Sequence, residues 1–183
     1  CVFQSNDARR EGGAIFSEGS LLTIQRCTFR GNSGCGGGVV RLDGGVISDC
    51  VFELNHGGYC YDGYNPAGNP ILAAGGQITI ERCRFTHNTD LCGGCSRIYP
   101  TAKVTFEDCL IEGGLGEVDG VIAMHGGTAT FRKTTFRNNG SAWTGGAISG
   151  RGSVTLEDCV FERNNSYYPS SHGGAGAITL VYG

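Results

Sequence analysis

The phrase C-x-F-x-x-N recurs seven times along this 183-residue chain, twice in degenerate form. It reads CVFQSN from Cys1, CTFRGN from Cys27, CVFELN from Cys50, CRFTHN from Cys83, CLIEGG from Cys109, TTFRNN from Thr134 and CVFERN from Cys159. The steps between copies are 26, 23, 33, 26, 25 and 25 residues. A unit this short cannot bury an apolar face alone. Copies at a near-constant period bury it by stacking on one another, so the chain reads as a solenoid.

Each unit holds three short apolar phrases. One resembles G-G-A-I, as in Gly12–Ile15, Gly37–Val40, Asp119–Ile122 and Gly145–Ile148, with weaker versions ending at Leu72, Ile98 and Ile178. A second is apolar-Thr-apolar, centred on Thr23, Thr79, Thr105, Thr130, Thr155 and Thr179. The third is the C-x-F phrase itself. All alternate with period two and end at Gly, Asn or Asp, which is strand patterning and not helical. Three short strands per turn of about 25 residues predict an all-β, right-handed parallel β-helix of about seven coils, pectin-lyase-like in shape; the hand follows the rule for parallel crossovers. Residues 1–183 form one domain, with a long loop insertion at about 57–70.

Coils stacked at about 4.8 Å put like positions in columns. Phe3, Phe29, Phe52, Phe85, Phe136 and Phe161 are expected to form an inward column, with Ile111 in the fifth coil. Each buried ring stabilises by roughly 1.5–3 kcal/mol. Cys1, Cys27, Cys50, Cys83, Cys109 and Cys159 form a second column, small side chains suited to a narrow interior. Asn6, Asn32, Asn55, Asn88, Asn139 and Asn164 form a third. Asn accepts left-handed backbone, and its amide can bond to the Asn above and below. Gly114 stands there in the fifth coil.

These phrases resemble the polymorphic outer membrane protein repeat, the paired G-G-A-[ILV] and F-x-x-N motifs of chlamydial surface autotransporters. The resemblance covers nearly the whole chain. It implies a β-helical passenger at a cell surface or outside the cell, with adhesive or architectural roles, and it brings no catalytic residues.

Composition narrows the alternatives. The net charge is −3 with no basic stripe, so no nucleic-acid partner is expected. Apolar runs stop within a few residues, so no membrane-inserting helix is expected. No cofactor is indicated. Ten cysteines suit an oxidising setting. Cys35, Cys60, Cys92 and Cys95 stand outside the column and are disulfide candidates, Cys35–Cys60 between loops and Cys92–Cys95 within one; a four-thiolate zinc site is the sharper alternative, though a second C-x-x-C is missing.

The runner-up function is a polysaccharide-acting enzyme or glycan-binding module of similar fold. Such hydrolases need paired carboxylates. Here Asn88-Thr89-Asp90 resembles one short polygalacturonase motif without its companions, and Glu81, Glu107 and Glu157 are spaced singly along one face. His56, His125 and His172 each precede Gly-Gly and read as turn residues. The outward Thr column suggests an ice-binding array, but its neighbouring column is long and charged. Tyr59, Tyr61, Tyr64, Tyr167 and Tyr168 fall in loops on one edge and are candidate ligand contacts for a host or matrix glycan or protein. Asn139 and Asn164 open the sequons Asn139-Gly140-Ser141 and Asn164-Asn165-Ser166, which compete with the Asn column. The chain opens on a C-x-F phrase and closes before one. Cys1, Val2 and Phe3 at one end, and Ile178, Thr179 and Leu180 at the other, are therefore expected to stack head to tail on another copy or on neighbouring segments of a longer chain.

Overall fold

The computed structural model describes residues 1–8, 12–34, 38–57, 70–90, 96–167 and 174–181. The described residues hold no helix, and every strand pairs in parallel with its counterpart in the next coil. The seven C-x-F strands, Val2–Gln4, Thr28–Arg30, Val51–Glu53, Arg84–Thr86, Leu110–Glu112, Thr135–Arg137 and Val160–Glu162, stack in chain order as one seven-stranded sheet. Seven strands in succession make about six full turns of a parallel β-solenoid. The coils are numbered here by these strands.

Each coil has a fourth strand that the periodicity did not show. It is two residues long and follows the Asn: Asp7–Ala8, Ser33–Gly34, His56–Gly57, Thr89–Asp90, Leu115–Gly116, Gly140–Ser141 and Asn165–Ser166. These also stack as a seven-stranded sheet. Two residues carry no alternation to read. The G-G-A-I and apolar-Thr-apolar strands share the remaining sheet, each apolar-Thr-apolar strand being counted with the C-x-F strand it leads into; the two fuse as Ile122–Arg132, which runs from coil five into coil six, and as Ile148–Glu157, which runs from coil six into coil seven. Gly126, Gly150 and Gly152 bend them, with φ of 119°, 115° and 136°. An added Cβ at Gly150 would lie 2.0 Å from the Met124 carbonyl oxygen, so only glycine fits this bend.

The corners depart from the sequence expectation. Asn is not the left-handed residue. That conformation belongs to the residue before it: Ser5, Gly31, Leu54, His87, Gly113, Asn138 and Arg163, with φ between 52° and 63°. The residue before each column Cys from Cys27 on, and before Thr134, does the same: Arg26, Asp49, Arg82, Asp108, Lys133 and Asp158. Both corners therefore follow one rule. A left-handed residue, exposed or half-buried, turns the chain, and the next side chain points inward.

Thr179 is also displaced from its expected column. It pairs with Ser149, whereas Thr155 pairs with Thr130. Ile178–Leu180 is a first-phrase strand, and the doubled reading of Ile178 hid this.

The core is filled by columns. Phe3, Phe29, Phe52 and Phe85 stack with ring centroids 4.6, 4.6 and 4.9 Å apart, and Phe136 stacks on Phe161 at 4.7 Å. Ile111 interrupts them. Phe106, five residues earlier on the facing sheet, supplies bulk there. It meets Phe85 edge-on at 6.3 Å and stacks on Phe131 at 4.9 Å.

Candidate functional site

The Asn column is a hydrogen-bond ladder. The Asn55 Oδ1 accepts from the backbone N–H of Asn32 at 2.9 Å and from its Nδ2 at 3.1 Å. The Asn55 Nδ2 donates to the Phe29 carbonyl and to the Asn88 Oδ1, each at 3.0 Å. The pattern runs from Asn6 to Asn88 and again from Asn139 to Asn164. Asn32, Asn55, Asn88 and Asn139 are buried. Asn88 is thus a ladder member, which separates it from the hydrolase motif it resembles. The two sequon residues stand in the same ladder. Asn139 is 1% exposed, and its Nδ2 donates to the Ile111 carbonyl at 2.9 Å and to Asn164 Oδ1 at 3.0 Å. The Asn164 Nδ2 donates to the Phe136 carbonyl at 2.9 Å.

The cysteine column is more than small filler. It is a second ladder made with thiols. The Cys50 Sγ accepts from the Cys27 N–H at 3.4 Å and donates toward the Ser48 carbonyl at 3.1 Å. The Cys83 Sγ accepts from the Cys50 N–H at 3.5 Å. Thr134 takes the same role in coil six, its hydroxyl donating to the Arg132 carbonyl at 3.0 Å. Cys1, Cys27, Cys50, Cys83, Cys109 and Cys159 are free thiols. Burial pushes the Cys109 thiol up to about 11. Cys83, hydrogen-bonded to Cys50 and desolvated, is pushed well above the ordinary thiol range. Cys35, Cys60, Cys92 and Cys95 lie outside the described residues, as do Tyr59, Tyr61, Tyr64, Tyr168 and His172.

No group of three or more His, Cys, Asp or Glu that could hold a metal occurs among the described residues. The nearest approach to a catalytic constellation is Asp119, His125 and Ser149. The Ser149 Oγ donates to Asp119 Oδ1 at 3.2 Å, and His125 Nε2 stands 3.5 Å from Asp119 Oδ2. The carboxylate lies between the other two groups. A nucleophilic serine needs the imidazole beside its hydroxyl, with the carboxylate behind the ring. Ser149 is also fully buried and accepts from the Gly120 N–H at 2.8 Å. This is a structural clasp on the outer face of the first-phrase strands, where Leu72, Arg97 and Ala123 are buried too.

Among the exposed apolar groups of the described residues, four fall on coils five to seven: Leu115, Val118, Trp143 and Tyr167. Tyr167 is 58% exposed and Trp143 50% exposed. An added Cβ at Gly140 would lie 2.8 Å from the Tyr167 ring and 3.2 Å from Leu115, so the bare strand seats one side of the ring. The loop before Gly145 is held by Ser141, whose Oγ accepts from the Trp143 and Thr144 N–H groups at 3.3 and 3.2 Å, and by Thr144 Oγ1 donating to the Val118 carbonyl at 3.0 Å. Trp143, Val118 and Leu115 are exposed on the same coils as Tyr167. Sequence reading found Tyr167 and missed Trp143, Val118 and Leu115. Their shared place in or just after the short fourth strand was the available signal.

Residues 133–151 match the model of the Chlamydia polymorphic membrane protein repeat. The chain is 24% identical over 190 residues to metabotropic glutamate receptor-like protein R of Dictyostelium discoideum. That alignment covers 90% of this chain and 12% of the relative's length. No solved structure gives a significant match. No helix among the described residues is long and apolar enough to cross a membrane. The resemblance read from the repeated phrases thus meets a family-model match in coil six and a parallel β-solenoid through the described residues: the chain is similar to the polymorphic membrane protein repeats, a surface-associated family.

Proposed function

We propose that this chain is an extracellular or cell-surface adhesive solenoid, a rigid rod that presents the Leu115–Val118–Trp143–Tyr167 edge to a glycan. The observation that carries the reading is the exposure of two rings on one edge of a scaffold whose interior is filled by self-satisfied ladders. Aromatic faces stack on the apolar faces of sugars, and their hydroxyl and N–H groups bond the sugar rim. Membrane protein repeats and a receptor-like relative are the company this function keeps. Binding of the wild-type chain to a glycan array, lost in Trp143→Ala and Tyr167→Ala with unchanged circular dichroism, is the expected result. Equal binding by the variants would defeat the reading.

The same proposal has the outermost strands, carrying Cys1, Val2, Phe3 and Ile178, Thr179, Leu180, pair with further coils of this repeat and extend the rod. Electron microscopy tests it: filaments repeating at about 33 Å, seven coils at the strand spacing, are expected. Discrete short rods at high concentration would remove the filament part.

A further inference from the structure

We infer that the solenoid carries a built-in weak seam between coils four and five, where it opens before its other interior interfaces and uncovers the thiol of Cys109.

Three independent features coincide there. The first is the Asn ladder. Gly114 offers no Oδ1, so the rungs that Asn88 should complete in coil five are missing. At the interface before, both the N–H and the Nδ2 of Asn55 reach Asn88 Oδ1, each at 3.0 Å. Val121 fills the vacated space, its Cγ1 2.7 Å from where a Gly114 Cβ would stand. It packs but accepts no hydrogen bond.

The second is the ring stack. Phe85 faces Ile111, and Ile111 faces Phe136. Phe106 restores volume through a single edge contact across the seam.

The third is charge. Side-chain ion pairs join coils two and three (Arg30–Glu53, 3.5 Å), three and four (Arg82–Asp49, 2.8 Å), five and six (Arg137–Glu112, 2.8 Å), and six and seven (Arg132–Glu157, 2.7 Å). None formed between described residues joins coils four and five. Glu81 there stands directly beside Glu107 in register; Arg82 holds the Glu81 carboxylate at 2.9 Å from within its own coil, while across the seam acid faces acid, which opposes association.

The backbone ladder does cross the seam, through Leu110 N–H to the Cys83 carbonyl at 3.0 Å and Leu115 N–H to the Asn88 carbonyl at 3.0 Å. In a stacked array, stability is a sum of nearest-neighbour interface terms, so the interface with the fewest side-chain terms opens first. Opening removes the Ile80 carbonyl, 3.5 Å from the Cys109 Sγ, and leaves the thiol only the Glu107 carbonyl of its own coil at 3.2 Å. The freed thiol loses the burial that suppresses its ionisation and becomes reactive.

Hydrogen exchange read by mass spectrometry on the intact wild-type chain tests this. An array that frays only from its ends shows protection rising to a single maximum in the middle. A seam breaks that profile: Leu110 and Leu115 amides exchange about tenfold faster than those of Arg84 and Thr89 at the preceding interface, the factor expected for roughly one lost net hydrogen bond. Iodoacetamide under native conditions provides a second readout. Cys109 is alkylated ahead of Cys50. Protection that peaks smoothly through coils four and five, or alkylation of Cys50 no later than Cys109, would overturn the inference.

Discussion

The first four coils and the last three hold the same backbone ladder with different side chains. In coils one to four, one Phe stack and one Asn ladder run unbroken, and each rung repeats the last. In coils five to seven, Ile111 replaces Phe, Gly114 replaces Asn and Thr134 replaces Cys. Phe106, Val121 and the Thr134 hydroxyl take over volume and bonding from other positions. The difference teaches that the repeat specifies a filled, hydrogen-bonded layer, and that the motif residues are one way of building it. A layer can depart from the motif if a neighbouring phrase compensates. The junction between the two styles bears the cost, because a ladder needs a like partner on each side.

The comparison can be broken most severely within the regular half. Phe52→Ala removes a ring stacked on both faces, and a loss of about 3–5 kcal/mol is expected by urea denaturation. The same truncation at half-buried Phe161, stacked on one face only, is expected to cost less. Asn55→Ala comes next. It leaves the Asn32 N–H and the Phe29 carbonyl without their side-chain partner, and about 2–3 kcal/mol is expected by the same measurement.

Gly114→Asn sharpens the comparison, since it restores the motif residue in the irregular half. The Val121 methyl occupies that space, so a destabilisation of about 1–3 kcal/mol is expected, partly relieved in the double variant with Val121→Ala. Stabilisation by the single change would mean that the motif outweighs packing.

Acid should act on two of the ion-paired interfaces and spare the seam. Asp49 is held below the usual carboxylate range by its hydrogen bond to Arg82, and Glu112 by its bond to Arg137. A depressed carboxylate contributes stability that is present above its ordinary pKa, about 4, and is lost as pH falls through the depressed value. One pair is exposed and the other half-buried at the surface, so the effect is small. Below about pH 4, exchange at Arg84 and Thr135 should rise toward that at Leu110, narrowing the contrast.

The smallest effect expected is from Glu81→Arg. It sets an opposite charge beside Glu107 while Arg82 keeps Asp49. Leu110 exchange should slow about twofold, as expected for a surface pair.

Much of this fold was legible because a parallel stack places each residue beside its own counterpart. A period in the sequence is then a column in space. Phe29, Phe52 and Phe85 share a column for that reason, and so do Asn32, Asn55 and Asn88. The two-residue fourth strand was not legible, since hydrogen bonds from the neighbouring coil define it. The candidate edge was half legible: a loop aromatic such as Tyr167 stands out, while the outward turn of Trp143 depends on bonds made by Ser141 and Thr144.

The sequence by itself determined the repeat, the strand phrases and which residues stack, because period and alternation are local and the coil spacing is set by backbone hydrogen bonding. The tertiary structure alone decided which corner residue turns left-handed, that the thiols form a ladder, that Thr179 pairs with Ser149 and that coils four and five meet poorly. Each of these depends on what the adjacent coil offers as donor, acceptor, volume or charge, and that is settled only when the coils lie against each other.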